Sequence, residues 1–232
     1  MSIHEGHRQR LKKRFRDEGL DNFEERHVLE LLLFYCIPQK DTAPIAQELL
    51  DRFGTVAQVL ETPVSELEKV PGIGEHAATL LALVTQVGRY YLVNRTKNDE
   101  ILNTTELCGY YLQQRFHGRR NETVFILCLD AKCKVKCCRI VGEGSVNSAN
   151  IPIRRIVEIA LSVNATTVVL AHNHPSGLAL PSDEDVHTTL RVAAALNTVD
   201  IELADHIVVA DDDFVSLAQS GYYRPGSTRV IL

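Results

Sequence analysis

A short apolar run that ends in two histidines constrains this chain more than any other feature. Residues 166–171 (TTVVLA) are β-branched and apolar, which is typical of a strand buried in a covered sheet. Successive side chains alternate across a strand, so His172 and His174 leave its end on the same side. Pro175 and Gly177 then turn the chain away. The pattern predicts two imidazoles side by side at a strand end.

A predicted helix after this turn adds a carboxylate. Residues 183–197 carry apolar side chains at helical spacing, with Ser182 at the expected N-cap and Asp185 in the first turn. A histidine at a strand end, or Ser-x-x-Asp as a cap, is often purely structural when it occurs alone. Together they favour a three-ligand zinc site of His172, His174 and Asp185, with a fourth position for water.

The run of residues 172–185, HNHPSGLALPSDED, is similar to the metal-binding signature of JAMM (MPN-plus) metalloproteases and resembles the RadC family in particular. The resemblance implies an MPN/JAB domain, a mixed sheet covered by helices with the layering of cytidine deaminases. It also implies a zinc metallopeptidase that cleaves a peptide or an isopeptide-bonded protein substrate. The identity of that substrate stays open, because loops carry the specificity.

The resemblance implies two further catalytic residues. JAMM enzymes carry a glutamate at the head of an early strand, where it takes a proton from zinc-activated water, and Glu122 occupies that position before residues 123–129. From composition alone, Glu143 and Glu158 remain alternatives. The JAMM counterpart of Ser182 donates a hydrogen bond to the tetrahedral oxyanion. A cap uses the serine oxygen as an acceptor, which leaves the proton free for that role.

The C-terminal half predicts an α/β fold from its own pattern. A helix, an apolar hairpin, a second helix, the histidine strand, a third helix and a strand over residues 202–210 follow one another, with a turn at residues 211–213. This alternation favours a mixed sheet covered by helices. On the last strand, Asp205 and His206 are candidates to accept the second N–H of a zinc-bound histidine. A partly buried polar pair at a sheet edge is the alternative.

The N-terminal half predicts a separate all-α domain over residues 1–98. The polar run of residues 94–105 separates it from the C-terminal domain, residues 101–232. Within it, Pro71-Gly72-Ile73-Gly74 resembles a helix-hairpin-helix turn, whose backbone N–H groups bind a DNA phosphate. The same sequence also serves as a compact helix connection, and Glu75 beside it is unfavourable for a phosphate.

The charge of the chain limits what nucleic-acid binding it can support. A net charge of −5 argues against a protein dominated by phosphate binding. Six Lys and Arg residues do lie between residues 8 and 16. A solvated basic face on a packed helix is the interpretation that we favour for them. DNA contact through residues 1–16 and Pro71–Gly74 is therefore expected to be weak.

The cysteine pattern bears on the compartment. The six cysteines show no C-x-x-C spacing, which predicts free thiols, no disulfide and no second metal site. No signal-peptide core or membrane-spanning run occurs in the sequence, so a cytoplasmic protein without membrane contact is expected. The sequence leaves the oligomeric state open.

Three functions use or tolerate a zinc site of this kind. The first is the zinc metallopeptidase or isopeptidase. The second is a DNA-associated accessory protein of repair or recombination in which the zinc is structural. The third, nucleobase deamination, requires an H-x-E element and a downstream P-C-x-x-C, and the sequence contains neither. The deaminase is therefore excluded, and the first two remain.

Overall fold

Two structural units make up the chain. The computed structural model describes residues 3–95, 100–144, 151–175 and 177–226. Contacts between residues divide the chain into Met1–Gly88 and Arg89–Leu232. The predicted domain boundary near residue 98 falls among residues 96–99, outside the described residues, and it stays a prediction.

The N-terminal unit is helical. Its helices, the last of which continues past the unit, are α1 (Ile3–Glu18), α2 (Glu25–Leu33), α3 (Ala43–Phe53), α4 (Val56–Glu61), α5 (Val64–Leu67) and α6 (Glu75–Arg95). The apolar faces of α2 to α6 pack into one core, whose fully buried side chains include Leu29, Leu33, Leu49 and Leu81. Leu11 of α1 packs in a smaller cluster with Leu31 and Phe34. The helical spacing read from the sequence therefore corresponds to the buried faces of these helices.

The Pro71–Gly74 turn connects α5 to α6. Gly72 has a φ of +92°, which glycine adopts without strain. A Cβ at Gly72 would lie 2.8 Å from Ile45 Cδ1, so the glycine also allows α3 to pack closely against the turn. Ile73 is buried in the helical core, whereas Gly72 and Gly74 are exposed. The turn therefore connects the two helices tightly, and its contact with DNA stays a prediction.

The C-terminal unit has the predicted α/β class. Its elements are α7 (Thr105–Phe116), β1 (Thr123–Leu129), β2 (Val135–Glu143), α8 (Ile153–Ser162), β3 (Thr167–Asn173), α9 (Asp183–Asn197), β4 (Glu202–Ala210) and β5 (Asp213–Ser216). The strand order is β2-β1-β3-β4-β5. Only β3 and β4 are parallel among these neighbours, which makes the sheet mixed. The short edge strand β5, which begins at Asp213, was not expected from the sequence.

Helices cover both faces of this sheet. Val168 and Leu170 of β3 pack on the face covered by α8 and α9. Val169 and Ala171 pack on the opposite face, which α7 covers. Because the alternation continues to the strand end, His172 lies on the α9 face and Asn173 on the α7 face. This alternation positions the candidate site.

Among the described residues, no helix combines the length and the hydropathy that crossing a bilayer requires.

Candidate metal centre

His172 is the penultimate residue of β3, the central strand of the sheet. It pairs with Val124 of β1 on one side and with Val208 of β4 on the other, and it is 4% exposed. His174 lies just beyond the strand, where its N–H still donates to the Val209 carbonyl at 2.8 Å. Strand pairing therefore fixes the backbone of both histidines.

Asp185 lies in the first turn of α9, where a capping box holds its carboxylate. Ser182 Oγ accepts from the Asp185 N–H at 3.2 Å, and the Ser182 N–H donates to Asp185 Oδ2 at 2.8 Å. The Ser182 hydroxyl donates to the same Oδ2 at 2.6 Å. We expected the cap to leave this proton free. In the structure, the Ser182 hydroxyl donates it to Asp185.

The three predicted ligands converge. His172 Nε2 lies 2.9 Å from His174 Nε2 and 3.3 Å from Asp185 Oδ1, and His174 Nε2 lies 3.8 Å from Asp185 Oδ2. One ligand atom from each residue falls within 4.8 Å of the other two. These three side chains can therefore hold a single metal ion.

The surroundings of the two histidines determine where their rings carry hydrogens. His174 Nδ1 lies 2.9 Å from the Leu178 carbonyl, which can only accept, so Nδ1 carries the hydrogen. When the ring carries a single hydrogen, its lone pair is therefore on Nε2. Burial lowers the pKa of His172 to about 4, against a smaller opposite effect of Asp185. His172 is therefore neutral at pH 7.

This arrangement fits a cation. The Nε2 atoms of His172 and His174 face each other at 2.9 Å. The carboxylate of Asp185 adds negative charge beside them. A metal ion is bound by unprotonated imidazole nitrogens and carboxylate oxygens, which is the donor set present here.

Asp205 and His206 are the two candidates to hydrogen-bond the second ring nitrogen of a histidine ligand, and of these two His206 does so. His206 Nε2 lies 2.8 Å from His172 Nδ1, and His206 is fully buried. Asp205 lies on the α7 face instead, where it accepts from the Ser216 hydroxyl at 2.5 Å and from the Ala218 N–H at 3.0 Å. Burial raises the pKa of Asp205. Its contacts tie β5 and the following turn to β4.

Glu122 stands at the head of β1, beside the centre. Partial burial raises the pKa of its carboxyl, and the charges of His174 and Asp185 act on it in opposite directions. It is therefore within electrostatic reach of the predicted ligands. A carboxyl with a raised pKa holds a proton more readily than an ordinary one, which suits a group that accepts and returns protons.

Asn173 positions the segment that carries Glu122. Its side chain points to the sheet face opposite His172, is buried, and accepts from the Thr123 N–H at 2.7 Å. Its amide nitrogen also donates to the Asn121 carbonyl at 3.3 Å. The residue between the two histidines therefore fixes the backbone on both sides of Glu122. Sequence reasoning missed this role, although a buried polar residue on a strand was the available signal.

The two alternative glutamates are engaged elsewhere. Glu143 ends β2 and forms an ion pair with Arg119 at 3.4 Å. Glu158 lies on α8 and pairs with Arg154 at 2.7 Å. Glu122, by contrast, lies within electrostatic reach of His174 and Asp185.

Comparison with known proteins identifies the family. Residues 102–222 match the RadC-like JAB domain, which is just over half of the chain. The chain belongs to the RadC-like JAB domain family. The match covers β1 to β5 and every predicted ligand, so the RadC resemblance read from residues 172–185 is confirmed.

A relative extends the similarity beyond the RadC-like JAB domain. The UPF0758 protein FN0909 of Fusobacterium nucleatum is 29% identical over 224 residues, covering 94% of this chain and 97% of the relative. Its name states no activity. RadC-like JAB domains are related to the metalloprotease superfamily, and the His-His-Asp group agrees with a metal-dependent fold of that kind.

The buried histidines predict an acid-sensitive fold for the metal-free protein. The pKa of His172 is lowered to about 4 and that of His206 is also lowered by burial, whereas an unfolded histidine titrates near 6.5. The unfolded chain therefore binds more protons below pH 6.5, and stability falls as the pH drops from 6.5 towards 4. We expect a loss of up to about 3 kcal/mol from His172 alone, measured by urea unfolding in the presence of a chelator.

A double variant, H172Q/H206Q, is the control for this prediction. It removes both titrating rings and should lose less stability over the same pH range. If the wild type and the double variant lose the same amount, the assignment of neutral buried histidines is wrong.

Proposed function

We propose that this protein is a zinc-dependent metallohydrolase of the JAMM type that cleaves peptide or isopeptide bonds. The observation that carries the proposal is the approach of His172 Nε2 to within 2.9 Å of His174 Nε2 and 3.3 Å of Asp185 Oδ1. Two imidazoles and one carboxylate are the protein ligands of catalytic zinc sites that keep a fourth position open. When bound there, zinc supplies a Lewis acid and lowers the pKa of a water molecule to about 7.

Glu122 is the proposed general base. Its carboxylate accepts a proton from the attacking water and passes it to the leaving amine. The raised pKa of Glu122 supports the second step, because the protonated form has to persist until the amine leaves. The hydrogen bonds of Asn173 to the segment around it support a fixed position.

Ser182 is the proposed donor to the tetrahedral oxyanion. Its hydroxyl oxygen is already held by the Asp185 N–H at 3.2 Å, so only the hydrogen has to turn. In the described structure that hydrogen is donated to Asp185 Oδ2. Oδ2 keeps the Ser182 N–H at 2.8 Å when the hydroxyl turns away, which limits the cost of the change.

A protein substrate is supported by the loop between the ligands. Leu178 and Leu180 are 66% and 64% exposed, and Leu178 also supplies the carbonyl that fixes His174. Exposed leucines beside a reaction centre are suited to contact an apolar segment of a peptide. Free thiols throughout the chain support the expected cytoplasmic location.

Replacement of the proposed base tests the hydrolase. Zinc-loaded E122Q should release new amines from amine-blocked peptides, or from lysine-isopeptide-linked peptides, about 10²- to 10⁴-fold more slowly than wild type. Its zinc content should not change, because Glu122 is not a proposed ligand. The matched control, E143Q, alters a glutamate that pairs with Arg119 and should keep its rate. Equal rates in E122Q and wild type, or no amine release by zinc-loaded wild type, would contradict the proposal.

The second candidate is a DNA-associated accessory protein with a structural zinc ion. It is supported by Arg10, Lys13 and Arg16, which are exposed on α1, and by the exposed glycines of the Pro71–Gly74 turn. Backbone N–H groups at the start of a helix are suited to bind a phosphate.

Internal contacts of the same basic segment reduce its capacity for DNA. Arg8 donates to the carbonyls of Ile37, at 2.7 Å, and Lys40. Arg14 donates to the Asn22 carbonyl at 2.6 Å. These two guanidinium groups hold α1 to its neighbours, so they are poorly available to phosphates.

A salt series on the full chain tests the DNA candidate. If α1 contacts phosphates, the affinity for forked duplex DNA should fall steeply between 50 and 200 mM salt, as measured by fluorescence anisotropy, and the triple variant R10Q/K13Q/R16Q should show a smaller slope. R154Q, which changes an exposed arginine of α8, is the control. Undetectable binding, or a slope that the triple variant leaves unchanged, rules out DNA contact through α1.

A further inference from the structure

A buried chain of hydrogen bonds runs behind His172. His172 Nδ1 lies 2.8 Å from His206 Nε2, and His206 Nδ1 lies 2.6 Å from Thr189 Oγ1. Thr189 Oγ1 lies 2.6 Å from the Asp185 carbonyl oxygen. Thr189 and His206 are fully buried. This hydrogen-bond relay, which consists of His172, His206, Thr189 and the Asp185 carbonyl, therefore connects β3, β4 and α9 without solvent.

The direction of each hydrogen bond in this relay follows from the Asp185 carbonyl at its end. A carbonyl oxygen can only accept, so the single hydroxyl hydrogen of Thr189 is donated to Asp185. Thr189 must then accept from His206 Nδ1, which places the hydrogen of the neutral His206 ring on that atom. His206 Nε2 carries a lone pair and accepts from His172 Nδ1.

Thr189 and His206 therefore determine the tautomer of His172. With its hydrogen on Nδ1, His172 has its Nε2 lone pair directed at His174 and Asp185. The opposite tautomer would point an N–H at those two acceptors and would satisfy them without any cation. In the metal-free protein, the relay opposes this internally satisfied arrangement.

We propose that Thr189 is a positioning residue that, through His206, holds His172 in the tautomer that binds a metal ion. Thr189 lies one helical turn after Asp185 on α9, so one helix supplies both a proposed ligand and the group that orients another ligand. The inference rests on the proposed function only in taking His172 as a ligand. The tautomer itself exists in the metal-free chain and can be measured there.

Two substitutions at Thr189 separate an orienting role from a packing role. T189V keeps the shape but removes the hydroxyl, so His206 Nδ1 loses its acceptor and the ring is released to carry its hydrogen on Nε2. His172 would then accept at Nδ1 and carry its hydrogen on Nε2. T189S keeps the hydroxyl and should preserve the wild-type direction, although it removes a buried methyl group.

The test reads the His172 tautomer and the zinc affinity separately. Long-range ¹H–¹⁵N spectra of the metal-free protein should show His172 with its hydrogen on Nδ1 in wild type and T189S, and on Nε2 in T189V. Titration with Zn²⁺ against a competing chelator should give about 10- to 100-fold weaker binding for T189V, and a change within about threefold for T189S. An unchanged tautomer and an unchanged affinity in T189V would overturn the inference.

A second position keeps the test decisive if T189V does not fold. In H206Q, the side-chain carbonyl can accept from His172 Nδ1 while the amide donates to Thr189, so the direction is conserved. H206Q should keep the wild-type tautomer, and H206L should lose it. Loss of the tautomer in H206Q, or its retention in H206L, would contradict the relay. A wild type with the expected tautomer but no zinc binding would leave the relay intact and contradict the proposed function instead.

Discussion

The approach of two imidazole nitrogens, those of His172 and His174, to 2.9 Å beside the buried carboxylate of Asp185 is the constraint that the site depends on. Hydrogen bonds from other groups hold both rings in this arrangement. The Leu178 carbonyl does this for His174, and His206 does it for His172. Ser182 holds the Asp185 carboxylate through the helix cap. The centre is therefore preorganised by hydrogen bonds that lie outside the proposed ligand set.

Successive side chains at the end of β3 lie on opposite faces of the sheet, and each face carries a different part of the site. His172 faces α9, where Asp185 and the hydrogen-bond relay lie. Asn173 faces the other way and fixes the backbone on both sides of Glu122. A single tripeptide thus aligns the proposed ligands on one face and the proposed base from the other. A shift of β3 by one residue against β1 would exchange these faces and separate the two functions.

The parts of the site that the sequence predicted are local. The i, i+2 spacing of His172 and His174 and the capping pattern of Ser182 and Asp185 each follow from one element, and the family resemblance added Glu122. The parts that it missed join distant residues. Thr189 acts through His206, a residue on another element, and no spacing rule links the two. Asp205 and His206 were inseparable in sequence, yet the sheet directs them to opposite faces, and only His206 reaches the centre.

X-ray absorption at the zinc K-edge of the purified, zinc-loaded protein tests the central claim most directly. The account predicts one ion per chain, with two imidazole nitrogens and one carboxylate oxygen at about 2.0–2.2 Å and a light fourth ligand. The chain also contains six free cysteines, which are the strongest competing ligands. A sulfur shell at about 2.3 Å, or spectra that do not change in H172A/H174A, would contradict the account.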